Sequence, residues 1–165
     1  MCLCIKTASG EETMEVASVL ADFIPRGFFI AMEGDLGAGK TTFTQGMARG
    51  LGVCRRVTSP TFNLIQIYDD GKIPLYHVDA YRLESSEEGF EIGLEEYIDA
   101  EGLCLVEWAQ NVTSLFPEDY LQVRMVKLEN EVRRLEFEAF GLRSQEVLRS
   151  FAEKIPGNIS CEEKY

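Results

Sequence analysis

GFFIAMEGDLGAGKTTF, residues 27–43, decides how this chain folds. Phe28, Phe29, Ile30, Ala31 and Met32 form a short, nearly unbroken apolar run, the pattern of a strand covered on both faces. The run gives way to Gly34-Asp35-Leu36-Gly37-Ala38-Gly39-Lys40-Thr41, which spells G-x-x-x-x-G-K-[ST]. Lys40 to Leu51 (KTTFTQGMARGL) then reads as a helix, so the loop has the strand-before, helix-after context of a phosphate-binding loop. Glycines at 34, 37 and 39 allow a tight turn whose N–H groups point inward as an anion-binding nest. The helix adds its unpaired amides and the positive end of its dipole. Gly34 to Thr42 are therefore the expected contacts of a nucleotide. In that arrangement Lys40 reaches the terminal phosphates, and Thr41 offers its hydroxyl to Mg²⁺. The plain alternative is a glycine-rich turn with an exposed lysine.

The rest of the chain sets limits on that reading. Its 165 residues fit one domain, and 45% apolar with 27% charged residues describe an ordinary globule. No apolar run approaches the ~20 residues of a membrane span, and MCLCIKTASGEE makes no signal peptide, which points to the cytoplasm. Five scattered cysteines without a C-x-x-C pair read as packed thiols rather than a zinc site or disulfide framework. A formal net charge of −12 argues against strong direct nucleic-acid binding, which relies on basic surface. ATP must then be drawn in by local amides, Lys40 and Mg²⁺ against an unfavourable overall field, which salt screens over about 8 Å.

Taken in order, residues 2–6 read as a strand. Ser9 with Glu12 opens a helix whose apolar stripe runs to Ile24, before Pro25. Thr58 to Thr61 reads as an exposed loop, because Pro60 disfavours a central strand. Residues 63–68 and 73–78 pair across an Asp69–Lys72 turn. An interrupted acidic helix follows Ser85, then an apolar strand over 103–106 and a short helix over 108–115. Residues 121–128 and 132–140 form an antiparallel hairpin. Ser144 is expected to cap a last helix, and 156–165 to be a frayed, disordered tail. The whole predicts one α/β P-loop NTPase-like domain over 1–155, with a mixed, mostly parallel sheet flanked by helices and a C-terminal antiparallel hairpin.

A Mg·nucleotide site calls for a carboxylate at the end of a neighbouring buried strand. Glu107 ends Leu103-Cys104-Leu105-Val106, and Asp79 ends the more broken Leu75-Tyr76-His77-Val78. Glu107 is expected on the metal, directly or through water. Asp79 is expected to orient the attacking water or support the metal's surroundings. Either acid could instead cap the next turn. His77, the sole histidine, reads as packed and hydrogen-bonded. Trp108, beside Glu107, is either a core anchor or part of the site.

GDLGAGKTTF, VTSPTFNL, HVDAYRL and LCLVEWA, in that order and at these intervals, resemble the bacterial TsaE (YjeE) family, small ATPases needed for the threonylcarbamoyl adenosine modification of tRNA. The resemblance covers about residues 5–140. It implies an α/β P-loop fold, Mg·ATP binding, and slow ATP hydrolysis coupled to the protein partners TsaB and TsaD. It implies that Leu36–Thr41 wrap the phosphates, with Thr41 and Glu107 on magnesium. Ser59-Pro60-Thr61-Phe62 would act as a nucleotide-sensing switch, and Asp79 and Trp108 match positions the family needs for activity. No arginine beside the loop is evident in the sequence, Arg82 being the nearest candidate, so weak activity alone and stimulation in complex are expected. Two other readings share the loop: a small-molecule kinase, for which the sequence offers no arginine-rich lid, and a non-hydrolysing nucleotide sensor.

Overall fold

In the strand Phe28–Glu33, Phe28, Ile30 and Met32 enter one apolar cluster while Phe29 and Ala31 enter a second. The strand Leu103–Glu107 divides the same way, with Leu103 and Leu105 on one side and Cys104 and Val106 on the other. Side chains alternate across a strand, so an unbroken apolar run requires cover on both faces of the sheet.

The structure, a computed structural model, describes residues 1–60 and 63–164, with Glu163 and Lys164 described for their backbone alone. Thr61 and Phe62 of the expected switch loop lie outside the described residues. The strands are β1 (Cys2–Thr7), β2 (Phe28–Glu33), β3 (Ile65–Tyr68), β4 (Leu75–Asp79), β5 (Leu103–Glu107), β6 (Tyr120–Lys127), β7 (Arg133–Phe140) and β8 (Ser160–Lys164). The helices are α1 (Gly10–Ala21), α2 (Lys40–Gly50), α3 (Ser86–Glu91), α4 (Leu94–Ile98) and α5 (Leu142–Ala152), with a 3₁₀ segment over Ala109–Leu115. All eight strands join one mixed sheet in the order β3-β4-β5-β2-β6-β7-β1-β8. Its core, β4-β5-β2-β6, is parallel, and the outer pairings are antiparallel. Helices α1, α2 and α5 contribute to the first cluster; α4 and the 3₁₀ segment contribute to the second. No helix among the described residues is long and apolar enough to cross a membrane.

Local chemistry explains most element ends. Ser9 accepts from the Glu12 amide, the cap expected for α1, and the Glu12 carboxylate accepts from the amide of Ala8, one residue before the cap. The helix closes at Ala21, ahead of Pro25, because the Asp22 and Phe23 amides tighten onto the carbonyls three residues back. At α5 the expected Ser144 cap is corrected. The helix begins at Leu142, and the Asp119 carboxylate caps it by accepting from the Arg143 and Ser144 amides at 2.8 and 2.9 Å. Ser144 Oγ instead donates back to the Phe140 carbonyl at 2.6 Å. The tail also differs from its expected disorder: Ile159 is buried and Ser160–Lys164 pairs antiparallel with β1.

Helices α1 and α2 pack backbone to backbone, through Gly46 and Gly50 one turn apart on α2. A Cβ on Gly46 would run into the carbonyl and Cα of Met14, and one on Gly50 into the carbonyl of Ser18. Gly46→Ala should therefore cost about 1–3 kcal/mol by overpacking. That corresponds to a midpoint lower by roughly 2–12 °C in thermal denaturation. An unchanged midpoint would show that the helices separate freely. The contact matters for the site because α2 carries the end of the glycine-rich loop.

Candidate active site

Asp79, Glu107 and Met32 lie side by side at the carboxyl ends of β4, β5 and β2. The glycine-rich loop leaves β2 at that level, and ligand sites in open α/β sheets lie beyond these ends. Gly34 is held so close to β6 that a Cβ there would lie 2.6 Å from the Met125 carbonyl oxygen. Gly39, at φ 103°, occupies the N-cap of α2 in a conformation that side-chain-bearing residues rarely adopt. Leu36, at the loop tip, is 83% exposed.

Lys40 folds back over this loop. Its ammonium donates to the carbonyls of Gly34 (2.6 Å) and Asp35 (2.9 Å), and it sits 4.5 Å from the centre of the Trp108 ring. Burial lowers its pKa from the ordinary 10.5, and the carboxylates of Glu107, Asp79 and Asp35 oppose that fall. The result is a desolvated cation aimed at the loop.

Glu107 is 3% exposed, and its Oε1 is the meeting point of three donors. His77 Nε2 lies 2.8 Å away, Thr44 Oγ1 3.3 Å and Thr41 Oγ1 3.4 Å. A carboxylate oxygen accepts, so the imidazole carries its hydrogen on Nε2. His77 is fully buried, and its Nδ1 has no partner among the described residues. The Asp79 carboxylate accepts from Ser59 Oγ at 3.3 Å and from the Tyr81 amide at 3.0 Å, which fixes its rotation. The Ala80 amide donates to the Glu107 carbonyl, tying the two strand ends together.

Trp108 has a left-handed backbone, φ 57° and ψ 39°. Such a conformation in a bulky residue stores strain. Tyr81, itself exposed, packs against Trp108 with ring centres 4.8 Å apart and the rings tilted by 55°. Lys40, Thr41, Ser59, Asp79, Tyr81, Glu107 and Trp108 line a cleft of about 490 Å³ that also includes Thr42, Arg82 and Arg133.

Each candidate residue read from the sequence thus falls at one end of the sheet, and Lys40, Thr41, Asp79, Glu107 and Trp108 share one cleft. Sequence reasoning missed Tyr81 and, more importantly, Arg133. The latter opens β7, two strands away from the loop strand, and no local pattern reveals that order. Hard oxygen donors from Thr41 and Glu107 suit Mg²⁺, which keeps several waters and needs only one or two carboxylates. Among the described residues no group of three or more His, Cys, Asp or Glu side chains forms an all-protein metal cage.

Known proteins share the sequence and the fold of this chain. Residues 7–135 match the family model described as "Threonylcarbamoyl adenosine biosynthesis protein TsaE". A tRNA threonylcarbamoyladenosine biosynthesis protein TsaE from Bacillus subtilis is 46% identical over 138 residues, covering 84% of this chain and 86% of that protein. The protein of that name from Haemophilus influenzae is 32% identical over 127 residues, covering 77% and 80%. The crystal structure of Bacillus subtilis YdiB superposes with a TM-score of 0.82 at 38% identity, covering 93% of this chain and 95% of that one.

Proposed function

Since the chain belongs to the TsaE family of threonylcarbamoyl adenosine biosynthesis proteins, we propose that it serves that modification of tRNA as an ATP-hydrolysing accessory protein. On this reading it binds Mg·ATP in the cleft and turns it over slowly alone. It acts in the cytoplasm and is stimulated by its protein partners TsaB and TsaD. The observation that carries the reading is the convergence of Thr41 and Glu107 on each other beside a glycine-rich loop, with Asp79 in register.

The amides of Gly37 to Thr42 and the start of α2 supply fixed dipoles toward the phosphates, as helix N-termini do for anions. Lys40 exchanges its loop carbonyls for phosphate oxygens. Thr41 and Glu107 would hold the magnesium ion, which when bound neutralises charge on the terminal phosphates. Glu107 is kept in place by His77 and Thr44. Asp79, held by Ser59 and the Tyr81 amide, is positioned to accept a hydrogen from the attacking water. The net charge of −12 fits a division of labour in which partners carry most of the tRNA contact.

Phosphate release measured with and without purified TsaB and TsaD tests the proposal. Slow release alone and faster release in complex is expected. Full-rate hydrolysis by the isolated chain, or transfer of the phosphoryl group to a small molecule, would contradict it. Asp79→Asn should keep nucleotide affinity yet lower turnover about 10- to 30-fold, the loss expected for one charge-assisted hydrogen bond of about 1.5–2 kcal/mol. If the variant unfolds, Asp79 is structural.

A further inference from the structure

Strand alternation carries three polar side chains to one face of the sheet. Leu75 of β4 and Leu105 of β5 pack in the cluster to which α2 contributes. His77, Asp79 and Glu107 follow these leucines at steps of two, so they share that face. Asp79 is level with Glu107 in the parallel ladder, and His77 stands two residues behind, opposite Leu105. From there the imidazole reaches forward to Glu107, with Nε2 2.8 Å from Oε1.

Among the described donors to Glu107, the imidazole is the only short one. Thr41 Oγ1 is 3.4 Å away, and Thr44 divides a single hydrogen between Oε1 at 3.3 Å and the nearer Lys40 carbonyl at 3.0 Å. All three described donors meet at Oε1, which leaves Oε2 open to another ligand. His77 itself gains little from the arrangement. Its ring is fully buried, and among the described residues Glu107 is its one hydrogen-bond partner, Nδ1 having none. A buried polar atom without a partner costs free energy that an apolar side chain at this place would avoid. The needs of the core therefore do not account for an imidazole here.

We infer that His77 is a positioning residue for Glu107: its Nε2 hydrogen holds Oε1 and so presents Oε2 to magnesium. This role rests on the ATP-binding reading above and adds a residue to it. His77 does not line the cleft, so it acts through the carboxylate rather than on the nucleotide. A mobile glutamate loses rotamer freedom when it takes up an ion, and one pinned at Oε1 has already lost it. Losing a partner of this kind, one hydrogen bond removed from a metal ligand, lowers metal affinity by about 10- to 100-fold.

Two variants separate the hydrogen bond from the packing. His77→Gln keeps an N–H that can reach Oε1, and His77→Met fills similar space without a donor. The fluorescence of the sole tryptophan, Trp108, reads ATP affinity across Mg²⁺ concentrations and in excess EDTA, beside the melting temperature without nucleotide. His77→Met should raise the Mg²⁺ concentration that half-restores ATP affinity by about 10- to 100-fold, leaving affinity in EDTA unchanged. His77→Gln should stay close to the wild-type chain. A wild-type Mg²⁺ requirement in folded His77→Met would overturn the assignment, as would a folded His77→Gln that does no better than folded His77→Met. If His77→Met melts early, His77→Gln decides: a raised requirement in the folded glutamine variant overturns the role, and a wild-type requirement supports it. Where neither variant folds, the NMR spectrum of the imidazole nitrogens of this single histidine decides in the wild-type chain. A hydrogen on Nε2 is expected there, and a bare Nε2 would overturn the role. A wild-type chain that binds no ATP at any Mg²⁺ concentration would instead remove the ATP reading itself, whatever the imidazole spectrum shows.

Discussion

Lys40→Ala should weaken ATP binding by about 10- to 150-fold, the range set by losing about 1.5–3 kcal/mol of charge-assisted hydrogen bonding. The structure argues for the upper part of that range. The ammonium is 5% exposed as a residue, held by two carbonyls of the loop, and covered by Trp108. A desolvated cation attracts a phosphate more strongly than a solvated one, because less water must be stripped on binding. The same burial predicts a pH signature. Burial lowers the lysine's pKa from 10.5, with Glu107, Asp79 and Asp35 acting in the other direction. The charged form is therefore lost as pH rises through a value below that of a free lysine. ATP affinity of the wild-type chain should decline on this alkaline side, and that decline should be missing from Lys40→Ala. Binding titrations across alkaline pH provide the check. Equal affinity and turnover in the two proteins would remove Lys40 from the site. A melting temperature taken without nucleotide is needed beside them, since alanine also leaves the Gly34 and Asp35 carbonyls without their donor.

What could be read from the sequence follows from how local each signal is. The Phe28–Met32 run, the glycine loop and α2 are consecutive, so periodicity and motif suffice to place them. Asp79 and Glu107 were legible for a related reason. A buried strand that ends in an acid puts that acid at the sheet's edge, and parallel pairing brings two such ends into register. The rest depends on which strands become neighbours. Asp119 caps α5 from before β6, and a sequence scan for a local cap finds only Ser144. The pairing of β8 with β1 joins the two ends of the chain, where a polar strand with no amphipathic pattern looks like a tail. Arg133 belongs to the cleft because β6, the hairpin partner of β7, lies beside β2, and that pairing joins residues far apart in the chain. The sequence marks His77 as a packed, hydrogen-bonded residue; its partner, Glu107, follows from β4 lying beside β5.

That partnership decides how Glu107 must be tested. From sequence alone, Glu107→Ala separates metal chemistry from stability. In the folded protein it does not, because alanine would leave the fully buried His77 imidazole without the acceptor of its Nε2 hydrogen, at a cost of about 1–3 kcal/mol in stability. Glu107→Gln is the cleaner change. It keeps the volume and an amide oxygen that His77, Thr41 and Thr44 can still donate to, and it removes the negative charge. Magnesium-dependent phosphate release should fall about 100-fold, corresponding to a loss of about 2.7 kcal/mol of charge interaction at the metal. The magnesium concentration needed for half-maximal release should rise, while the melting temperature without nucleotide moves little. Should Glu107→Gln keep both the rate and the magnesium requirement of the wild-type chain, the carboxylate serves the fold through His77 alone. Asp79, at the same level on the adjacent strand, would then be the acid left to meet the metal.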